Sequence, residues 1–524
     1  MSSAFATFRQ PGWNQRFTLI ILAIFAIGGI ALIAYITDVG PWAFSDSSAY
    51  LATAENIADG RGPVLQNSHG EYELLPLHPP LYPMVVSLPM MLGAGALQST
   101  RWLNAILFGL TIFLAGWSTF HFTHSFWLST SASGLFLATY EPVRAYSGAM
   151  AEGLFLFLGF TGLFVLARSI NAKKLIVWNQ IAAGVLIGLA ILTRYAGLAF
   201  LGIGVVTLMI FSTGKFISRL RQVLAFLVPG VMVPALWLVP VYLKTHTFGD
   251  RQIGDLVNIW PKIPNYFEAF FETIGTMLPY FNRGNHLISP VGKLIVGAIF
   301  AIVLIVVPII ILSRRKQAMN ENGLLAWGFT LLGFITAYVA LHLGAYLIAV
   351  TQPDVDGRLL LPIYLAAVML LPVGFSFWGR LLRKEWVTGV VFLALALVTV
   401  WYFHGKMKNY LFDMHHYGDG YTSKRWNENP IFDQVRTLDS FKTLGSYDAG
   451  LILFYTGRYP EVLVQYRDQD ANTLDLSADQ GLVLFTLNGE HLLGADGYDN
   501  FVLRASELYE VVYRDNEGIV FQSR

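Results

Sequence analysis

Eleven stretches of the chain are apolar enough and long enough to cross a lipid bilayer, and this decides more than any other feature what it can fold into. A crossing helix needs ~17 to 25 residues with few charges. Such runs lie near 17–37, 101–122, 126–145, 151–168, 176–193, 196–213, 222–243, 291–312, 324–350, 359–378 and 386–403. Inside hydrocarbon every backbone N–H and C=O must find a partner, so each run is expected to be a helix. The first run is too long for a signal-peptide core and has no small-residue cleavage site behind it, which makes it a transmembrane helix. At 55% hydrophobic and 13% charged, the 524 residues do not suit an ordinary soluble protein.

A further apolar run, 78–96, is settled by charge. The basic clusters are Arg9/Arg16, Arg168/Lys173/Lys174, Lys215/Arg219/Arg221, Arg314/Arg315/Lys316 and Arg380/Arg383/Lys384. Basic residues mark cytoplasmic loops. All five clusters share one side only if 78–96 lies in the interface or re-enters. Its prolines at 79, 80, 83 and 89 agree, since a helix interrupted so often spans poorly. The expected protein is polytopic and α-helical, with about eleven spans and a cytoplasmic N-terminus. A first external loop, 38–100, carries interfacial helices. Asp46, the Glu152 region, Arg194, the loop 244–290, the segment Asp354 to Arg358 and the tail then share the external face.

From residue 404 the composition becomes that of a soluble domain, with charges throughout and short alternating apolar runs such as GLILFYT, EVLVQY, GLVLFTL, YEVVYR and GIVFQ. Residues 1–403 are read as a transmembrane module. Residues 404–524 are read as a small external α/β domain, with a helix over about Asn429–Leu444 and strands in the apolar runs.

A net charge of +1 and the lack of a basic arm give no reason to expect a nucleic-acid partner. The absence of cysteine removes disulfides, thiol catalysis and cysteine-ligated metal. No Walker loop, GxGxxG fingerprint or HExxH is present, which argues against a bound nucleotide or a metalloprotease site.

Few acids lie next to the spans, so those that do are candidates for chemistry. Asp46 heads a short amphipathic segment in which Tyr50, Ala54 and Ile57 follow at helical spacing until Gly60 and Gly62. An acid placed there can take a proton from an incoming hydroxyl; the plain alternative is a helix cap, a role open to Ser45 and Ser47 as well. Glu152 opens an apolar run, where the helix dipole alone favours an acid, and where it could also bind a metal or orient an acceptor. Arg194 and Arg358 interrupt apolar stretches at the same face. They could snorkel, pair with acids, or clamp phosphate through the guanidinium fork. His78 precedes Pro79-Pro80, where it could donate to a phosphate oxygen or serve as a polar anchor. His121, His124, His415 and His416 have no acid at metal-ligand spacing and are read as surface groups. Asp46 and Glu152 are the only candidates for a divalent cation, and two acids do not complete a hard-cation site without water or phosphate.

Taken in order, these features resemble the GT-C superfamily of membrane glycosyltransferases, in its protein mannosyltransferase and aminoarabinose transferase-like branch. The carrying residues are Phe44-Ser45-Asp46 with Tyr50 and the GRGP turn, His78-Pro79-Pro80-Leu81-Tyr82-Pro83, Arg101 with Asn104, Ala151-Glu152-Gly153, Thr193-Arg194 and Gly357 to Pro362. The likeness runs to about residue 380. The tail, with KRWNENPIF and FYTGRYP, looks like the external domain of many bacterial members, which implies a bacterial plasma membrane. The resemblance implies a sugar donor carried on a polyprenyl phosphate, with Asp46 as the essential acid of the first external loop and Glu152 as the acid of the second. Arg358, Arg194 and His78 are then expected on the donor phosphate, and Tyr50 and Tyr82 as positioning groups for donor or acceptor. The chain departs from the aminoarabinose branch in having His78 where lysine is common. It has a lone Glu152 where oligosaccharyltransferases carry a longer acidic motif. The expected reaction is inverting transfer to an acceptor hydroxyl or amine on a glycan, lipid or protein. A transporter or lipid-linked-sugar flippase, or a scaffold whose tail binds a partner, would also suit many spans with few embedded charges.

Overall fold

The hydropathy pattern turns into helices almost run for run. The computed structural model describes residues 11–67, 70–74, 78–170, 177–246, 259–277, 323–349, 353, 355–438, 443–462 and 480–523. Among the described residues seven helices are long and apolar enough to span: α1 (Pro11–Ile36), α4 (Ala96–Thr123), α7 (Glu152–Ile170), α10 (Phe216–Thr245), α12 (Leu324–Ile348), α13 (Gly357–Leu381) and α14 (Glu385–Tyr417). Three of the expected spans are shorter: α5 (Phe126–Ala138), α8 (Val177–Thr193) and α9 (Leu198–Phe211). The run at 291–312 lies outside the described residues. Between α1 and α4 lie α2 (Ser45–Ala58), a small hairpin of β1 (Val64–Gln66) and β2 (Tyr72–Leu74), and the ten-residue α3 (Leu81–Met90), which is too short to cross.

One expected span is cut. The run 126–145 ends as helix at Ala138, turns at an extended Thr139 and resumes as α6 (Tyr140–Tyr146). Pro142 explains the break: it has no N–H for the carbonyl of Ala138, four residues back, and its ring would clash with that carbonyl. The break sets Glu141 and Arg144 at the end of the bundle where Glu152 and Arg358 also lie.

The helices bury apolar faces against one another and turn others outward, as an integral membrane protein does. On α1, Phe17, Ile20, Ile24 and Ile27 are exposed while Leu22 and Ile33 are buried; on α14, Trp386, Leu397 and Trp401 face out. Close helix contacts depend on small residues. A Cβ on Gly184 of α8 would collide with the Phe226 carbonyl of α10, so only glycine lets that pair approach. α11 (Lys262–Met277) lies across α12 and α13.

The last long helix, α14, continues past residue 403 to Tyr417. Beyond it come α15 (Ile431–Thr437), β3 (Thr443–Ser446), α16 (Ala449–Thr456), β4 (Glu461–Val462), β5 (Gln480–Phe485), α17 (Thr486–Leu493), α18 (Ala495–Leu508), β6 (Tyr509–Arg514) and β7 (Gly518–Ser523). The strand order is β4-β3-β5-β7-β6, parallel from β4 to β5 and antiparallel from β5 to β6. Alternate residues of β5 point to opposite faces. Leu482 and Leu484 pack with Tyr498 and Phe501, and Val483 and Phe485 with Trp426, Phe432 and Leu451. Two expectations are corrected. GLILFYT is helix rather than strand, since the Asp448 side chain caps it by accepting from Leu451 N–H at 3.0 Å and Gly457 ends it in the left-handed conformation. The helix expected over 429–444 is confined to α15, because Thr443 already belongs to the sheet.

Candidate active site

Asp46 stands in the first turn of α2, where exposed helix N–H groups favour an anion. It is not the cap: Phe44, with an extended backbone, precedes the helix, and its N–H donates to Ser47 Oγ at 3.2 Å. The carboxylate is therefore free to face other elements. Arg358 Nη1, in the first turn of α13, lies 3.3 Å from Asp46 Oδ2 and 3.6 Å from Glu152 Oε1. Arg194, just after α8, donates to the same Glu152 oxygen. Four residues from four separate segments thus form one chain of alternating charge, Asp46–Arg358–Glu152–Arg194.

Burial is uneven along this chain. The Glu152 side chain is 3% exposed, whereas Asp46 is 34% exposed and so is the member open to an incoming group. Glu152 Oε2 makes no hydrogen bond among the described residues. Arg358 is held on its other sides by Asp356, 3.7 Å from Nε, and by the Phe44 ring, 4.7 Å from the guanidinium carbon. Asp356 also caps α13, accepting from Leu359 N–H at 2.8 Å. Tyr338 donates to the Leu359 carbonyl at 2.9 Å and pins the same turn.

His78 returns beside the acid, with Nε2 3.9 Å from Asp46 Oδ1 and Nδ1 3.5 Å from the Tyr50 hydroxyl. Burial pushes the Tyr50 phenol well above its ordinary value, so it stays protonated and acts as a hydrogen-bonding group rather than a base. The Tyr82 ring packs edge-on against Tyr50 at 5.3 Å, but its hydroxyl reaches Asn104 Oδ1 at 3.5 Å and not the charged cluster. All seven candidates therefore gather at one end of the bundle, with Tyr82 standing behind the others. His121 and His124 lie at the end of α4 and His415 and His416 at the end of α14, where His415 stacks on Tyr35.

Among the described residues a divalent cation finds no ready donor set here. The guanidinium of Arg358 bridges the two acids that would have to share the ion. Among the described residues no group of three histidines or acids lies together.

Two cavities adjoin Asp356, and the smaller of them also reaches Arg358. A small one of about 130 Å3 is lined by Trp42, Phe44, Glu141, Arg144, Asp356 and Arg358. Through Glu141, Arg144 and Asp356 it shares a wall with a larger one of about 590 Å3, bounded on its far side by Glu272, Tyr402 and Lys406. Their polar walls mix acids, bases and aromatic rings, which suits a hydroxylated ligand.

Nothing in the sequence marked Tyr338, and the pairing with acids open to Arg358 did not extend to a bridge between two of them. Tyr338 is one tyrosine in an apolar run, and bridging is a matter of distance across 312 residues.

No protein-family model matches the sequence, and no curated protein matches it. Solved structures do. The apo structure of ArnT from Cupriavidus metallidurans aligns over 95% of this chain and 97% of its own, with TM-score 0.54 and 14% identity. The same protein bound to undecaprenyl phosphate aligns over the same shares with TM-score 0.50 and 14% identity. The oligosaccharyltransferase of Archaeoglobus fulgidus in its apo form aligns over 99% of this chain and 75% of its own, with TM-score 0.52 and 12% identity.

Proposed function

We propose that this chain, which has the GT-C fold of polytopic membrane glycosyltransferases, transfers a sugar from a polyprenyl-phosphate carrier to an acceptor on the external face of the membrane. The observation that carries this is the Asp46–Arg358 pair: an accessible carboxylate 3.3 Å from a guanidinium that a buried glutamate also holds. ArnT with undecaprenyl phosphate and the archaeal oligosaccharyltransferase with a dolichol phosphate lend support to the donor class.

In this mechanism the donor phosphate engages Arg358, with Arg194 and His78 beside it. A guanidinium that turns to phosphate loosens its hold on Asp46, so arrival of the donor frees the base. Asp46 takes the acceptor's proton, the acceptor oxygen or nitrogen attacks the anomeric carbon opposite the phosphate, and the C–O bond to the carrier breaks. The leaving phosphate keeps the bonding pair and its charge is met by the arginines. The anomeric configuration inverts. Glu152 holds the two arginines in place, Tyr50 orients His78, and the cavities beside Asp356 admit the acceptor.

The test is Asp46→Asn in membranes supplied with labelled lipid-linked sugar. Removing a general base costs ~10² to 10⁴ in rate; near-normal transfer by the variant takes Asp46 out of the mechanism. A flippase would leave the lipid–sugar bond intact, so substrate-dependent release of free polyprenyl phosphate separates the two classes.

A further inference from the structure

The segment that leads into Asp46 is gripped from two sides. On one side the membrane module holds it: Trp42 N–H donates to the Ser147 carbonyl at 3.1 Å, and Ala149 N–H donates to the Trp42 carbonyl at 2.8 Å. The Trp42 indole donates to the Arg144 carbonyl at 2.6 Å. On the other side the chain beyond α14 holds it. Tyr421 N–H donates to the Ala43 carbonyl at 2.8 Å, and Thr422 Oγ1 donates to the Pro41 carbonyl at 2.9 Å. Residues 41–43 are thus a short rung between two parallel bridges, Trp42 with Gly148 and Ala43 with Gly420. Without 420–422, two of these carbonyls would lose their partners.

The grip continues to the head of α2. Tyr421 Oη donates to Asp448 Oδ1 at 2.5 Å, and the same carboxylate caps α16 through Leu451 N–H. This places Gly450 directly against the residue before the acid. A Cβ on Gly450 would lie 2.6 Å from Ser45 Cα, 2.8 Å from Ser45 Cβ and 2.9 Å from Tyr421 Oη. Gly450 does not have a positive φ, so its lack of a side chain serves the close approach and nothing else.

We infer that the C-terminal unit is part of the catalytic apparatus rather than an appendage for acceptor recognition: Gly450, Tyr421 and Asp448 are positioning residues that set Asp46 against Arg358. This rests on the role proposed for Asp46. It differs from the recognition role that a soluble tail on a membrane enzyme would suggest, because a brace affects turnover whatever the acceptor.

The experiment uses the full chain in native-like membranes with lipid-linked sugars extracted from cells lacking it. Gly450→Ala pushes Ser45 and with it the head of α2, and a misplacement on the order of 1 Å costs about 10²-fold in turnover. The expected result is a kcat lower by ~10- to 10²-fold, with donor KM and the affinity for undecaprenyl phosphate within about twofold, since Arg358 and Arg194 belong to other elements. Asp448→Asn keeps an oxygen for both Tyr421 and Leu451 and retains turnover, whereas Asp448→Ala loses it as Gly450→Ala does. Val502→Ala, a cavity in the C-terminal core on the sheet face opposite Leu451 and Ile452 of α16, controls for loss of folding and leaves kcat within about twofold. The inference is overturned if Gly450→Ala turns over normally, if kcat and KM change together, or if Val502→Ala matches it. Where Asp46→Asn is inactive and Gly450→Ala normal, the brace falls and the base stands. Where Asp46→Asn is active, the role of the acid itself has failed.

Discussion

Replacing Glu152 by glutamine keeps its shape and removes its charge, and the consequence can be worked from the distances. Its Oε1 lies 3.6 Å from Arg358 Nη1 and also accepts from Arg194. At an effective dielectric near 20, a unit-charge pair at that separation is worth about 4–5 kcal/mol. Only part of this is lost. The amide oxygen still accepts a hydrogen bond, and the arginines are 20% and 15% exposed, so water answers some of their charge. A net loss of about 2 kcal/mol, or about thirtyfold in turnover, is expected. The two guanidiniums then repel one another across the amide, and donor KM rises as well. The assay is release of free polyprenyl phosphate from labelled lipid-linked sugar, with initial rates at several donor concentrations. A fall as deep as that of Asp46→Asn would make Glu152 a proton carrier rather than a holder of arginines. No fall would mean that the charge chain does not govern the reaction.

Two further outcomes follow from the same geometry. Arg358→Lys keeps the charge but cannot reach Asp46, Glu152 and Asp356 from one planar group; donor KM should rise by about tenfold or more, measured against undecaprenyl phosphate as competitor. Tyr50→Phe should lower turnover by less than about tenfold and leave the alkaline limb of the pH–rate profile unmoved. A phenol whose pKa is raised by burial stays neutral through about pH 8 to 10, so a limb that shifted in the variant would assign Tyr50 the titration.

The membrane helices were legible because hydropathy is local and the bilayer fixes the length. What hydropathy does not weigh is a proline: Pro142 cuts the run at 126–145 although nothing in its apolar count changes. The tail misled for a related reason. GLILFYT is apolar without a clear period, which fits a buried strand or a buried helix equally. The deciding signals were its flanks, Asp448 ahead and Gly457 behind. The charged residues stood out because an apolar chain carries few of them, and Asp46, Glu152, Arg194, Arg358 and His78 do lie together. Their pairing did not stand out. That Arg358 bridges two acids, or that Thr422 grips Pro41 from 381 positions away, is set by packing and has no local mark. Gly450 shows the limit most plainly, since the nearness of Ser45 and Tyr421 explains it and neither is a neighbour in sequence.

The most direct measurement takes the purified chain in proteoliposomes with a labelled polyprenyl-phosphate sugar and an acceptor extract, and follows the carrier and the sugar together. The expected result is one free polyprenyl phosphate for each sugar transferred, product of inverted anomeric configuration, and both signals lost in Asp46→Asn. Sugar that crosses the bilayer still attached to its lipid, or transfer that survives the loss of the carboxylate, would contradict it.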